Sequence, residues 1–138
     1  MADDCVFCNI VKGKIPAEKV YEDNKMMAFM DIMPANKGHA LVVTKNHYET
    51  IMDVPDRELA ELIILVKKIA KAADQGMAPG GFNIVQYNRP VAGQVIPHIH
   101  FHVIPRFKGD GIVLNWKQGS YKEGEIGEYA KNIKSFIS

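Results

Sequence analysis

One segment of this chain, between Pro55 and Asp74, has the periodicity of a long α-helix, and any fold has to bury one side of it. Its apolar residues recur at the spacing i, i+3, i+4, i+7, which predicts a single buried face. That face is predicted to consist of Leu59, Leu62, Ile63, Val66, Ile69, Ala70 and Ala73. Asp53 is predicted to cap the helix, Pro55 to occupy its first turn and Gly76 to mark its end.

The other apolar segments are short and are typical of strands. Five strands are predicted, at Val20–Glu22, Met26–Met30, Gly38–Thr44, Gly81–Tyr87 and His98–Arg106. The first two flank Asp23-Asn24, a turn-favouring pair, and predict a β-hairpin. Most connections are too short for parallel crossovers. We therefore expect an α+β fold, an antiparallel sheet of about five strands packed with one long helix. Short N- and C-terminal helices are predicted at Cys5–Lys12 and within Glu123–Ser138.

Composition limits the classes of partner. The chain has 138 residues, a net charge of +1, and Lys and Arg that are scattered rather than clustered, so a single domain without a nucleic-acid surface is expected. Apolar runs such as Leu62–Leu65 are far shorter than the ~20 residues that span a membrane. The acidic start Met1–Cys5 lacks the pattern of a signal peptide, and a cytoplasmic location is the default expectation.

Three histidines alternate with apolar residues from the first residue of the last predicted strand onward. Alternate side chains of a strand share a face and lie about 6.5–7 Å apart. The pattern therefore places one set of side chains toward a ligand, His98, His100 and His102, and the other set in the core, Ile99, Phe101 and Val103. Such a row suits a polyatomic ligand or a metal.

Three interpretations of this row remain open from the residues alone. The histidines could be an accidental alternation on an exposed strand, but apolar residues flank them on both sides. They could form a purely structural metal site. The third interpretation is catalytic, because imidazole titrates near neutrality and serves as nucleophile, acid or base.

Cys5 and Cys8 form a pair spaced to bind one metal ion. Two ligands do not complete tetrahedral zinc, so two more would have to come from elsewhere in the chain. Free structural thiols and a redox pair are the alternatives. The redox alternative lacks the early βαβ context of thioredoxin-like proteins.

The segment His98–Ile104 matches the motif His-φ-His-φ-His-φ-φ at every position, φ being apolar, and the chain thereby resembles the histidine-triad (HIT) family. Three further segments resemble family segments in family order: Phe29–Pro34, Lys37–His47 and Ala92–Gln94. The similarity covers residues 5–106 of a single domain over residues 1–138. It leaves residues 107–138, including Trp116, as a C-terminal tail. A HIT-like fold is what the resemblance implies.

The resemblance implies covalent catalysis by the middle histidine. In the family this residue attacks the α-phosphorus of a nucleotide, and water then hydrolyses the nucleotidyl-histidine and releases a nucleoside monophosphate. His100 is the matching residue. His102 would contact the phosphate and the leaving group, and His39 would lie in the same cluster. A hydrogen-bonded histidine at the start of a strand is the alternative for His39.

The resemblance also implies a nucleotide site. Asp31 matches the position that binds the ribose hydroxyls, with a turn-forming Asp before Pro34 as the alternative. Backbone N–H groups of the turn at Gly93, Gln94 and Val95 would face the α-phosphate. The apolar side chains implied to hold the base are Phe7, Ile10, Phe29 and Ile32.

Two positions depart from the family pattern. Tyr87 stands where members often carry Asn or Gln in contact with the nucleotide. Val95 stands where they often carry Ser or Thr near the leaving group. These departures put the assignment to one branch of the family in doubt, and the loss of the hydroxyl counts mildly against phosphoramidate substrates.

Some microbial members of the family complete a zinc site with two histidines. The matching residues are His47 and His98, which with Cys5 and Cys8 give a Cys2His2 set. With four protein ligands no position remains for water, so such a zinc ion would be structural.

The function expected from the resemblance is a nucleotide hydrolase or nucleotidyl transferase that cleaves a purine nucleotide conjugate at the α-phosphate. Nucleoside phosphoramidates (Hint-like) and dinucleoside polyphosphates (Fhit-like) are the two substrate classes. A nucleotide-binding interaction module with little catalysis and a zinc-stabilised scaffold are the alternatives. The family also implies a homodimer.

Overall fold

The computed structural model describes residues 2–137. Its helices and strands follow in the order α1 (Val6–Val11), β1 (Lys19–Glu22), β2 (Met26–Met30), β3 (Ala40–Thr44), α2 (Asp56–Met77), β4 (Gly81–Val85), β5 (His100–Arg106) and α3 (Glu125–Ser135). Two single turns of 3-10 helix lie at Ile51–Asp53 and Pro90–Ala92. Met1 and Ser138 lie outside the described residues. Both belong to the predicted domain, and Ser138 also belongs to the segment of the predicted C-terminal helix.

The five strands form one sheet in the order β1-β2-β3-β5-β4, and each neighbouring pair is antiparallel. The α+β class, the antiparallel sheet of five strands and the single long helix are therefore confirmed. The β1–β2 hairpin turns where it was predicted, because the Asp23 carboxylate accepts hydrogen bonds from the N–H groups of Lys25 and Met26, each at 2.8 Å.

One face of the sheet is covered by α2. Side chains of β2, β3 and β5 form the core on this face with four residues of the helix, Leu62, Leu65, Val66 and Ala70. The prediction for Ile63 was wrong, since its side chain is 46% exposed and Leu65 is buried instead. Ile63 lies about 100° around the helix from Leu62, which turns it away from the sheet.

Both predicted ends of α2 were wrong by one to three residues. The Asp53 carboxylate accepts from the N–H and hydroxyl of Thr50, so it caps the preceding 3-10 turn and not the helix. The helix also passes through Gly76 and ends at Met77, with Ala78 as its C-cap. Ala78 has a φ of 48° and donates its N–H to the Asp74 carbonyl. This left-handed residue after the helix is the position that glycine usually occupies, and the sequence had predicted Gly76 for the end of the helix.

The opposite face of the sheet is covered by α1. Phe7, Cys8 and Ile10 of this helix pack on Leu41 and Val43 of β3 and on the neighbouring side chains of β2. The β3–β5 register pairs Val43 with His100 and Leu41 with His102, so both histidines are on this face. The core positions predicted for Ile99, Phe101 and Val103 are confirmed on the α2 side.

Three strands are shorter than predicted, and the first of them, β3, begins at Ala40 and not at Gly38. The strand β4 ends at Val85 and not at Tyr87, and β5 begins at His100 and not at His98. The chain bends before β5, where the His98 N–H donates to Ile96 and the Ile99 N–H donates to Tyr48. His98 therefore leaves the strand row in which the alternation had placed it.

The C-terminal tail is exposed. In the described part of the tail, α3 occupies Glu125–Ser135 within the predicted segment. Its apolar side chains Ile126, Tyr129, Ile133 and Phe136 are at least half exposed, and so is Trp116. Within residues 2–137, none of the helices is long and apolar enough to cross a membrane.

Candidate active site and metal centre

A cleft of about 420 Å³ lies between α1 and the sheet face that carries the histidines. Its walls are mostly apolar, and its polar groups come from Asp31, His100 and His102. Most residues of the implied nucleotide site line this cleft: Phe7, Ile10, Phe29, Asp31, Ile32 and Val95. The size and the few convergent polar groups are those of a small-molecule site.

His100 has one ring nitrogen available to the cleft. Its Nδ1 atom donates to the backbone carbonyl of His98 at 2.7 Å. Because a carbonyl only accepts, the proton of the neutral ring is on Nδ1, and Nε2 keeps its lone pair. Burial lowers the pKa of His100, so the ring is neutral near pH 7. This arrangement allows Nε2 to act as a nucleophile.

His102 has the opposite tautomer, and His39 determines it. The Ala35 N–H donates to His39 Nδ1 at 3.0 Å, so the His39 proton is on Nε2. That Nε2–H lies 2.9 Å from His102 Nδ1, which must accept it. The proton of neutral His102 is then on Nε2. Burial, with a smaller effect of the neighbouring histidines, lowers the pKa of His102 to about 4.

The two adjacent histidines of β5 are therefore chemically different. Their ring centroids are 4.9 Å apart. His100 offers a lone pair and His102 offers an N–H, so one ring can attack a phosphorus atom while the other donates to a phosphate oxygen.

Asp31 forms the turn considered for it in the sequence and also lines the cleft. Its Oδ1 accepts from the Met33 N–H at 2.9 Å, as in a turn. Its Oδ2 lies 3.6 Å from His39 Nε2, and the side chain lines the cleft. A carboxylate with one oxygen in a turn still has lone pairs for a ligand hydroxyl.

Four predicted metal ligands lie together beside the cleft. Cys5, Cys8, His47 and His98 bring their ligand atoms within 4.8 Å of one another. Cys8 Sγ is 3.3 Å from His47 Nδ1, and Cys5 Sγ is 3.4 Å from His98 Nδ1. The ligand atoms of tetrahedral zinc are roughly 3.3–3.8 Å apart, given bonds of 2.0–2.3 Å. The spacing therefore fits the ion.

The surroundings of His98 support the same conclusion. Its Nε2–H donates to the Thr44 carbonyl at 2.7 Å, which leaves the Nδ1 lone pair for a metal. Burial lowers the pKa of His98 to about 4, so the ring is neutral. Burial also raises the pKa of the Cys5 thiol, and a dication would compensate for the buried thiolates.

A second group, Asp31, His39 and His102, is also compact enough for a metal. The hydrogen bond from Ala35 argues against that use. It places a proton on His39 Nε2, the atom that would have to bind the ion. This group fits a hydrogen-bonded chain and not a metal site.

Comparison with known proteins gives the family. A model described as HIT domain matches residues 12–109. The chain belongs to the HIT family. This HIT protein is 48% identical over 130 residues to an uncharacterized HIT-like protein of Methanocaldococcus jannaschii, covering 94% of this chain and 98% of that one. It is 38% identical over 134 residues to adenosine 5'-monophosphoramidase hnt1 of Schizosaccharomyces pombe, covering 96% and 98%.

Solved HIT structures share the fold. A HIT family member from Bacillus subtilis superposes with a TM-score of 0.92 at 37% identity, over 99% of both chains. A Zn-bound histidine triad family protein from Mycobacterium smegmatis superposes with a TM-score of 0.75 at 33% identity, over 96% of both chains. The HIT model match begins after Cys8, so the cysteine pair lies outside the matched region.

Gln94 is placed differently from the other implied nucleotide residues of this HIT protein. Its side chain accepts from the Arg89 N–H at 2.7 Å and donates to the Glu49 carbonyl at 2.6 Å. It thereby holds Arg89 at a φ of 74°, which is strained for a residue with a side chain. The Gln94 side chain supports the loop and does not line the cleft.

The loop at Gly93, Gln94 and Val95 offers fewer free backbone N–H groups to the cleft than the sequence predicted. The Gly93 N–H donates to Pro90 and the Gln94 N–H donates to Arg89. Among residues 2–137 no acceptor pairs with the Val95 N–H, so only this group of the three is left for a phosphate. The Val95 side chain is 85% exposed at the mouth of the cleft.

Tyr87 lies behind His102. The two rings are 5.6 Å apart at 65°, an edge-on contact. A side chain added at Gly93 would meet the Tyr87 ring at 3.4 Å. Tyr87 therefore supports His102 from the loop side and is not part of the cleft wall.

Sequence reasoning missed the backbone groups that orient the histidines. The Ala35 N–H and the Thr44 carbonyl fix His39 and His98, and the carbonyl of His98 itself fixes His100. Every residue carries such groups, so no residue type signals them.

Proposed function

We propose that this protein hydrolyses adenosine 5'-phosphoramidates and releases AMP through an adenylyl group on His100. The observation that carries the proposal is the opposite tautomers of His100 and His102 in one cleft. Support for the substrate class comes from relatives, since the S. pombe relative and those from two other yeasts are named adenosine 5'-monophosphoramidase.

The first step forms a bond from His100 Nε2 to the α-phosphorus and breaks the phosphorus–nitrogen bond. The Nδ1–H bond to the His98 carbonyl stabilises the positive charge that develops on the ring. His102 Nε2–H donates to a phosphate oxygen. The amine leaves with one proton drawn from solvent.

The second step is hydrolysis of the adenylyl-histidine. Water attacks phosphorus, the bond to Nε2 breaks, and one proton returns to solvent, so the cycle consumes one water. Asp31 accepts from the ribose hydroxyls with the lone pairs not used by Met33. The base lies between the apolar side chains Phe7, Ile10, Phe29 and Ile32, which line the cleft.

The test compares AMP release from adenosine 5'-phosphoramidate and from diadenosine polyphosphates by the native protein and by His100→Ala. Release from the phosphoramidate is expected to fall by at least about 10⁴-fold in the variant, because the nucleophile is gone. Native protein quenched during turnover with an alkaline denaturant, in which the phosphorus–nitrogen bond survives, should include molecules with one added adenylyl group by intact mass. AMP binding without release from either substrate would instead identify an interaction module.

We further propose that zinc occupies the Cys2His2 group and that the chain forms a homodimer. The ligand spacing and the Zn-bound relative support the first proposal. The exposed apolar side chains of the tail support the second. Elemental analysis should give one zinc per chain in the native protein and less in His47→Ala, a variant that removes a ligand without touching the cleft residues.

A further inference from the structure

We propose that Cys8 is a positioning residue for the nucleotide site, because the metal group to which it belongs fixes both α1 and the peptide of His98. Metal occupancy and nucleotide affinity would then be coupled. The nucleotide as ligand rests on the proposed function. The inference goes further in giving the metal group a role in binding and not only in fold stability.

The first connection runs through α1. Cys8 is fully buried, with Sγ 3.3 Å from His47 Nδ1. Phe7, the preceding residue, lines the cleft, and its ring lies edge-on to His100 at 4.9 Å. A helix of six residues is not stable by itself, so its position depends on what anchors it. The metal group is at the start of this helix.

The second connection runs through His98, whose two ring nitrogens and carbonyl make separate contacts. Its Nδ1 lies among the metal ligands, 3.2 Å from His47 Nδ1. Its Nε2 donates to Thr44, and its carbonyl accepts from His100. His98 precedes β5, so its peptide lies outside the hydrogen bonds of the sheet and is held only by loop contacts, the His98 N–H to Ile96 and the Ile99 N–H to Tyr48. Ligation at Nδ1 would restrict the carbonyl that sets the tautomer of the nucleophile.

These two connections predict a reciprocal linkage. If the metal favours the arrangement that binds nucleotide, the nucleotide favours metal binding by the same factor. We expect a factor of about ten, within the usual range for coupled sites.

The test uses the native chain. The Kd of AMP is measured by calorimetry on zinc-loaded and on chelator-treated protein. The Kd of zinc is measured by competition with a chromophoric chelator, once in the absence of AMP and once at saturating AMP. Both constants should change about tenfold and by the same factor. An unchanged AMP Kd after metal removal would overturn the inference while leaving the proposed function intact. No AMP binding to the loaded protein would contradict the proposed function itself.

A matched pair of variants separates positioning from simple folding. Phe7→Leu removes the ring that connects α1 to His100, whereas Val11→Ala changes the same helix at a position that does not line the cleft. The coupling should fall to about twofold or less in Phe7→Leu and stay near tenfold in Val11→Ala. Full coupling in Phe7→Leu would show that α1 carries none of the coupling, and would overturn the inference that the metal group acts through both connections.

Two measurements on the native protein complete the test without relying on a variant. Far-UV circular dichroism of the chelator-treated protein should match that of the loaded protein, and general unfolding would overturn the positioning role. The proton resonance of His100 Nδ1–H should be visible in the loaded protein and broadened by exchange after chelation. An unchanged resonance would contradict the connection through His98.

Discussion

At the scale of single residues, the chemistry of this site is decided by backbone groups. His100 and His102 are two positions apart and are the same residue type. The His100 Nδ1–H donates to a backbone carbonyl. His102 Nδ1 instead accepts from the Nε2–H of His39, whose own tautomer is set by the Ala35 N–H. The difference between a ring that offers a lone pair and a ring that offers an N–H therefore comes from the surrounding fold and not from residue type.

The role of His39 can be tested with two substitutions. His39→Gln keeps an N–H donor near the Nε2 position, whereas His39→Leu removes it. We expect kcat for AMP release to fall about tenfold or more in the Leu variant, because His102 loses the partner that sets its tautomer, with a smaller loss in the Gln variant. The Kd of AMP should change little in either. Equal losses in both variants would contradict the positioning role.

The low pKa of His102 predicts how stability depends on pH. The pKa is about 4 in the folded protein and near 6.5 in the unfolded chain. Between these values the unfolded chain binds more protons, so the free energy of unfolding should decrease as pH falls from about 6.5 to about 4. Urea unfolding across this range measures the slope. The slope of unfolding free energy against pH gives the number of protons taken up on unfolding, and in His102→Gln this number should be smaller by about one.

At the scale of secondary structure, the sequence predicted which elements form but not how they end. Alternation over His98–Arg106 predicted β5 and its buried side, yet the chain bends at His98 because its N–H pairs with Ile96. Periodicity in α2 predicted its buried side except at Ile63. The pattern of residues shows which side of a helix or strand is apolar. Where a helix or strand ends or bends depends on backbone hydrogen bonds, which the pattern does not show.

The loop before β5 gives a matched test of geometry near the site. Gly93 and Gly109 have positive φ values of 103° and 77°, but a Cβ at Gly93 would meet Tyr87, while a Cβ at Gly109 would meet nothing within 4 Å. Alanine at either position should cost about 1–2 kcal/mol of unfolding free energy by urea titration.

Only Gly93→Ala should also lower AMP release, because the strain at a φ of 103° falls on a loop that contacts the Tyr87 ring, and that ring rests on His102. A release rate that stays native in this variant would show that Tyr87 does not support His102. The Gly109→Ala variant controls for backbone strain alone.

At the scale of the whole molecule, residues 2–137 form one sheet with a helix on each face and a C-terminal tail whose apolar side chains are largely exposed. The resemblance placed this tail outside the conserved region, and the HIT model match ends at residue 109. The network from Arg106 to Asp110 holds the start of the tail, with two hydrogen bonds between the side chains at 2.8 and 2.9 Å. Beyond it, the apolar side chains remain exposed.

The exposed side of α3 is expected to be covered by a second copy of the chain. Ile126, Tyr129, Ile133 and Phe136 form one stripe along this helix and are all at least half exposed. An isolated helix of 11 residues is marginal in water, so its stability depends on packing of that stripe. Light scattering coupled to size exclusion should give twice the chain mass of 15.4 kDa. Ile133→Asp should shift the protein toward monomer, while Asn132→Asp, which adds the same charge beside the stripe, should not. A native protein that is monomeric at micromolar concentration, or equal effects of the two variants, would show that this stripe is not the dimer contact.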